Sequence, residues 1–357
     1  MPESSTGLQR LLRHQLVWPI LALIVLLLIN VIAKPGFFHV RMQDGHLYGN
    51  LIDIVRNGAP VLLVALGMTL VIATRGIDLS VGAIAAISAA VACTRIVGAG
   101  DEGALTTAVM ACTYALAVCV LLGAWNGFLV SVLRIQPIIA TLILMVAGRG
   151  ISMAITDGQI TTVHNRYFSD LATGYVLTLP VAFMIALAVF GLTAALTRRT
   201  ALGMLIEAVG INPEASRLAG VRSRTIIWTV YAFSGLCAGI AGLVIAANTN
   251  SVNANSLGLW IELDAILAVV IGGTSLAGGR FSLTGTLIGA LFIATLARTV
   301  NNIGIPSDLN YLFKAVVVIA VCLLQSPKVR SVFRVRRSGG PGSPGRTVPV
   351  LAKAGRA

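Results

Sequence analysis

The chain has 357 residues, of which 57% are hydrophobic and only 11% charged, and its 26 Lys and Arg against 13 Asp and Glu give a net charge of +13. Soluble domains carry roughly 25% charge, so most of this chain is solvated by lipid or by its own helices rather than by water. The apolar runs are long and continuous, not alternating, which excludes a transmembrane β-barrel and predicts an all-α, polytopic helix bundle whose backbone groups satisfy one another.

Residues 1–15 form a short N-terminal segment with Arg10 and Arg13. Residues 16–33 resemble a signal peptide, but the apolar core is too long for one and Ala33-Lys34-Pro35 is a poor cleavage site, so a retained first span is expected. Further spans are predicted at 58–74, 81–98, 104–123, 138–155, 176–196, 226–247, 283–300 and 311–325. The stretches 124–133 and 262–277 are shorter or glycine-broken and read as extra spans or re-entrant pieces. The membrane domain covers 16–326, and residues 327–357 form a basic tail expected to be disordered and to rest on anionic lipid headgroups.

Charge sets the expected orientation. Two basic residues precede the first span, five lie in 198–224 and eight follow residue 327, where there is no Asp or Glu. The loops 157–175 and 248–261 are nearly neutral. The positive-inside rule then puts both termini and the central island in the cytoplasm, which requires an even number of crossings; ten is the expected count. The basic tail lacks interleaved aromatics, so no nucleic-acid partner is expected.

Cys93, Cys112, Cys119, Cys237 and Cys322 all lie in or beside apolar spans without a Cys-x-x-Cys pair, and read as small packing residues. His14, His39, His46 and His164 show no metal-ligand spacing. No metal and no cofactor is expected. Gly98-Ala-Gly-Asp-Glu-Gly103 matches Gly-x-Gly-x-x-Gly only as letters, since it joins two apolar spans, and no Gly-Lys dipeptide occurs, so a phosphate-binding loop is absent. Any energy from ATP must arrive through another protein. Gly235, Gly239 and Gly242 lie along one helical strip suited to close helix packing, whereas Gly272, Gly273, Gly278 and Gly279 interrupt an apolar run.

The polar island 198–226 is patterned. Glu207 to Gly210 end a short helix, Asn212 offers a cap followed by Pro213 at the first position, Glu214 sits in that first turn, and Gly220 can stop the helix. Ala215, Leu218 and Ala219 give a small apolar face, and Gly210 permits a close approach. Such an element is either a docking site for a soluble partner or an ordinary connector. Ionisable and polar residues also lie at membrane depth: Asp78 with Ser80, Glu262, Asp264, Arg149 and Arg298. They either cap and pair or face a polar path. Asn126, Gln136, Thr141, Asn253, Asn255 and Asp264, with Asp78, are candidates to line that path.

Five segments in order resemble permease subunits of bacterial ATP-binding-cassette sugar importers of the ribose, xylose and galactofuranose branch, related to the branched-chain amino-acid permeases. They are Gly67-Met-Thr-Leu-Val-Ile-Ala-Thr-Arg-Gly-Ile-Asp-Leu-Ser-Val-Gly82, Gln136-Pro-Ile-Ile-Ala-Thr-Leu142, Glu207 through Val221, Ser234-Gly-Leu-Cys-Ala-Gly-Ile-Ala-Gly242, and Glu262 through Arg280. The stretches 135–150 and 258–265 look most like the galactofuranose permeases. The resemblance implies a non-catalytic inner-membrane subunit with about ten helices and both ends inside. Its partners would be an ABC ATPase, a periplasmic sugar-binding protein and a second permease subunit, identical or paralogous. Glu207, Gly210, Asn212 and Gly220 match positions of the element that seats on the ATPase. The family often has Gly where this chain has Arg75, which adds a cation next to Asp78 in sequence.

The expected function is therefore inward movement of an unchanged monosaccharide by alternating access. An ion-coupled secondary sugar transporter using Asp78, Glu262 or Asp264 is the alternative. An intramembrane enzyme is disfavoured, because no nucleophile–base or metal constellation is visible.

Overall fold

The computed structural model describes residues 16–43, 46–176, 178–304 and 309–325. The expected N-terminal segment 1–15 and basic tail 327–357 lie outside the described residues. Among those described, the chain forms thirteen helices and three short antiparallel strand pairs. In chain order the helices are α1 (Val17–Ala33), α2 (Asn50–Ala73), α3 (Val81–Val97), α4 (Leu105–Ser131), α5 (Pro137–Ile155), α6 (Arg166–Thr173), α7 (Val181–Arg199), α8 (Leu202–Ile211), α9 (Pro213–Leu218), α10 (Ser223–Thr249), α11 (Ile261–Ile271), α12 (Leu283–Ile303) and α13 (Asn310–Gln325).

Six of these, α2, α4, α5, α7, α10 and α12, are long and apolar enough to cross a membrane among the described residues. The expected count of ten is thus not reached by length and composition. Two differences from the sequence reading have plain causes. Residues 124–131 are the C-terminal end of the 27-residue α4 rather than a separate span, because nothing in Ala124–Ser131 interrupts the helix. The stretch 262–277 holds only the 11-residue α11, which stops where Gly272 and Gly273 break it. At 1.5 Å per residue α11 covers about 16 Å and the 17-residue α3 about 25 Å, both short of a hydrocarbon core of about 30 Å.

The core is built on α2, α3 and α10, which are buried along most of their length. Such burial requires backbones to approach closely. A Cβ on Gly235 would lie 2.4 Å from the Cys119 carbonyl oxygen of α4, and one on Gly242 would lie 2.1 Å from the Ala85 carbonyl oxygen of α3. The glycine strip of α10 therefore serves two neighbours at different heights rather than one. On the other side of the bundle, a Cβ on Gly289 of α12 would lie 2.0 Å from the Ala268 carbonyl oxygen of α11. Cys93, Cys119 and Cys237 are buried free thiols and Cys112 is half-buried, as packing residues should be; the side chain of Cys322 lies outside the described residues.

Polar side chains fasten the outer helices. Buried Asn30 of α1 donates to Thr299 Oγ1 of α12 over 2.5 Å. Arg298 reaches Asp53 Oδ2 at 2.8 Å and Asn50 Oδ1 at 2.8 Å, joining α12 to the first turn of α2. At that same end of the bundle β1 (Thr161–Thr162) pairs with β2 (Ser251–Val252), which brings the two neutral loops together. There too the backbone N–H of His164 donates to Glu102 Oε1 and Asn165 Nδ2 to the Glu102 carbonyl, both at 2.6 Å, so the Gly98–Gly103 connector is an anchor for the neighbouring loop.

Candidate translocation and coupling sites

α2 ends at Ala73, and the chain turns back into the bundle before α3 begins. Arg75 takes a left-handed φ of 64° at this turn. The returning loop carries Asp78 to the middle of the long helix α10. There Ser234 Oγ donates to Asp78 Oδ2 at 2.8 Å, while the backbone N–H and Oγ of Ser80 donate to Oδ1 at 3.1 and 2.6 Å. Asn126 Nδ2 of α4 donates in turn to Ser80 Oγ at 2.8 Å. Asp78, Ser80 and Asn126 are each fully buried, so the carboxylate is tolerated only because three donors converge on it. Asp78 and Ser80 do not cap α3, one of the roles the sequence left open: Ser80 is at the N-cap position but makes no side-chain cap bond, and Asp78 is the acceptor of a three-helix network. Thr141, buried on α5, joins the same loop through the Ile77 carbonyl at 3.2 Å, and Gln136 is exposed at the start of α5.

The first turns of α3 and α11 meet. A Cβ on Gly82 would lie 2.4 Å from Glu262 Oε2 and 2.6 Å from the Gly258 carbonyl oxygen. Only a residue without a side chain fits there. Glu262 is buried, and its Oε2 has no hydrogen-bond partner among the described residues. Arg149 of α5 holds the connector into α11 by donating to the carbonyls of Ala254 and Leu257 at 3.1 and 2.6 Å. Asn253 and Asn255 on that connector are exposed, with the Asn255 N–H bonded to Asn253 Oδ1 at 3.1 Å. Asp264 is paired with Lys314 of α13, Nζ to Oδ2 at 3.0 Å.

The seven candidate path residues thus fall into three places. Asp78, Asn126 and Thr141 converge on the 74–80 loop with Gln136 nearby. Asn253 and Asn255 lie on the connector. Asp264 is in an ion pair between α11 and α13. Sequence reading did not single out Ser234, whose hydroxyl looks like one more small residue in a Gly/Ala strip, or Gly82, whose need to be glycine appears only when α11 is placed. Arg75 does not sit against Asp78. Its guanidinium donates to the Ile211 carbonyl at 2.5 Å and its Nε to the Ala277 carbonyl at 3.1 Å.

The polar island folds into α8 and α9. Asn212 Oδ1 accepts from the backbone N–H groups of Glu214 and Ala215 at 3.1 and 3.0 Å, with Pro213 in the first turn. Glu214 is ion-paired with Arg217 at 2.6 Å, which holds its carboxyl below the usual range. Gly220, at φ 86°, reverses the chain after the helix. Glu207 is half-buried on α8. Ala215, Leu218 and Ala219 are exposed, and with Met204 (73%), Ile211 (60%) and Leu218 (77%) they leave apolar side chains uncovered on the segment. Gly210 faces the other way. Its Cβ would lie 1.8 Å from the Ala73 carbonyl oxygen, so the close approach it permits is to α2 of its own chain.

A family model described as the permease component of the branched-chain amino-acid transport system matches residues 50–322, a range that takes in the 74–80 loop, the short helices α3 and α11, and α8–α9. The chain belongs to this permease family. The permease is 46% identical over 343 residues to the galactofuranose transporter permease protein YtfT of Escherichia coli K12, covering 95% of this chain and 97% of that protein. It is 41% identical over 336 residues to the fructose import permease protein FruF of Bifidobacterium longum, covering 92% and 93%. It is 37% identical over 313 residues to the ribose import permease protein RbsC of E. coli K12, covering 87% and 93%. No solved structure matches the permease. As in its family, the subunit is a non-catalytic, multi-span membrane protein, and ATP is hydrolysed by a separate protein.

Proposed function

We propose that this permease is the membrane subunit of an ATP-driven importer that moves a monosaccharide unchanged into the cytoplasm by alternating access. The observation that carries the reading is full-length similarity to permeases named for galactofuranose, fructose and ribose import. The sugar proposed first is galactofuranose or a ribose-like pentose. An ABC ATPase, a periplasmic sugar-binding protein and a second permease subunit, identical or paralogous, complete the complex. The location is a bacterial inner membrane, with both termini and 198–226 on the cytoplasmic side by the basic-residue asymmetry.

On this reading α8–α9 seats on the ATPase. Exposed Leu218, Ala215 and Ala219 fill a cleft on the partner, Glu207 faces its rim, and the Asn212 cap, Glu214 and Gly220 keep the element rigid enough to transmit a displacement. Gly210 holds the element on α2. Exposed Gln136, Asn253 and Asn255 offer hydrogen bonds to sugar hydroxyls along the path. Asp78, Asn126, Thr141 and Asp264 shape its walls.

The test is uptake by the complete complex in lipid vesicles. Sugar entry is expected to require ATP and the binding protein, and Leu218→Asp or Glu207→Ala is expected to lower sugar-stimulated ATP hydrolysis several-fold while insertion persists. Uptake by the permease alone, driven by a proton gradient, overturns the reading in favour of an ion-coupled carrier.

A further inference from the structure

We infer that Arg75 is a positioning residue that mechanically joins the α8–α9 segment to the 74–80 loop and to the 272–282 loop that follows α11. The inference rests on the reading that α8–α9 seats on an ATPase. Three segments meet at this side chain. Its guanidinium donates to the Ile211 carbonyl, the last residue of α8, at 2.5 Å, and its Nε to the Ala277 carbonyl, in the loop after α11, at 3.1 Å. Its own backbone follows α2 directly. A carbonyl at a helix C-terminus has no partner within its helix, and a cation at that end is favoured by the helix dipole.

The surroundings are shaped to admit this arm. A Cβ on Gly278 would lie 2.3 Å from Arg75 Cγ, so a side chain there would expel the arginine stem. Next to it the Gly279 N–H donates to the Ala73 carbonyl at 2.9 Å, and Gly210 rests on that same carbonyl. Arg75 also holds a left-handed φ of 64°, a conformation that disfavours a side chain. Glycine would suit the backbone better, so the side chain has to be explained by what it holds.

The consequence follows from what each loop carries. The 74–80 loop leads to Asp78 and its bond to Ser234, and the 272–282 loop leads from α11, whose first turn meets Gly82 of α3. Packing alone resists a push but not a pull. Directional hydrogen bonds from a planar, forked guanidinium resist both. A displacement of α8 is therefore passed through Arg75 to the loop after α2 and the loop after α11 together.

The test uses the intact complex in vesicles with Arg75→Gly, Arg75→Gln and Arg75→Lys. The readouts are sugar moved per ATP hydrolysed and the distance between spin labels at Met204→Cys on α8 and Leu276→Cys in the 272–282 loop, both exposed positions. With Arg75→Gly, hydrolysis is expected to continue while sugar moved per ATP falls at least fivefold and the label distance broadens. Arg75→Lys, which keeps one donor group, is expected to recover part of the ratio. A parental ratio and a parental distance in Arg75→Gly overturn the inference. Should that variant fail to accumulate, Arg75→Gln carries the same two comparisons. Cross-linking of Leu218→Cys to the ATPase in the parent separates the two levels: no cross-link refutes the seating of α9, whereas a cross-link with unaltered coupling in the Arg75 variants refutes only the role of Arg75.

Discussion

Ser234 donates its hydroxyl proton to Asp78 Oδ2 over 2.8 Å, tying the middle of α10 to the loop that divides α2 from α3. The carboxylate is fully buried and takes its other two bonds from Ser80, which is itself held by Asn126. Three segments distant in sequence, the 74–80 loop, α4 and α10, are fixed by one charge. Ser234→Ala removes one donor from a buried carboxylate and is expected to cost about 1–3 kcal/mol. Asp78→Ala leaves Ser80 and Ser234 facing an emptied site and is expected to cost more. Thermal unfolding of the purified permease in detergent orders the two. Equal stability of Asp78→Ala and the parent would show that the network carries no weight.

Helix separation gives a second expectation. Gly242→Ala places a methyl group 2.1 Å from a backbone oxygen of α3, and Gly210→Ala places one 1.8 Å from a backbone oxygen of α2. Backbone cannot swing aside as a flexible side chain can, so each should destabilise by about 1–3 kcal/mol or more. The effects should differ in kind. Gly242→Ala should lower the unfolding temperature of the whole bundle, while Gly210→Ala should release α8 and raise protease sensitivity near residue 212. A Gly210→Ala protein with parental proteolysis would show that α8 is held elsewhere.

Asp264 and Lys314 are expected to behave as one unit. Their side chains are only 23% and 17% exposed, so removing either strands a poorly solvated charge, at an expected cost of about 1–3 kcal/mol, less than for a fully buried pair. Asp264→Asn and Lys314→Met should each lower stability, and the double variant should be no worse than either alone. If Asp264→Asn instead abolishes uptake with full stability and Lys314→Met does not, Asp264 contacts the sugar.

The pair Glu214–Arg217 sets a pH dependence for α9. Arg217 holds the Glu214 carboxyl below its ordinary value. The folded helix therefore favours the carboxylate. This contribution is fully present above the ordinary glutamate range and is lost as pH falls through the depressed value. Both groups are exposed, so the effect is small. Amide exchange of Ala215 to Leu218 should quicken, after correction for intrinsic rates, when pH is lowered through that window, and Glu214→Gln should flatten the change. An identical pH response in Glu214→Gln would assign it elsewhere.

Orientation is tested by labelling from outside in cells, on a background without native cysteines. A cysteine at Asn253 is expected to react and one at Leu218 is not. Leu218 is the better probe of its segment because it is 77% exposed, whereas Ser216 is 7% exposed and would be silent on either side. Outside labelling of Leu218→Cys would invert the map.

What the sequence determined by itself is what depends on solvent and on local backbone chemistry. Composition together with the long continuous apolar runs requires a helix bundle in lipid, since an apolar chain cannot leave its backbone unpaired there and the pattern is not that of a barrel. The Asn212-Pro213-Glu214 cap was legible because a cap acts within one turn. The break at Gly272-Gly273 was legible for the same reason. Tertiary structure decided which partner each polar group takes. Nothing local distinguishes Ser234 from its small neighbours, yet it faces Asp78; Arg75 lies three residues from Asp78 and turns instead to Ile211 and Ala277; Asp264 finds Lys314. The same holds for Gly82 and Gly210, whose missing side chains matter only because Glu262 and Ala73 arrive from distant segments. Such contacts depend on the relative placement of whole helices, and that is set by the packing of all of them together.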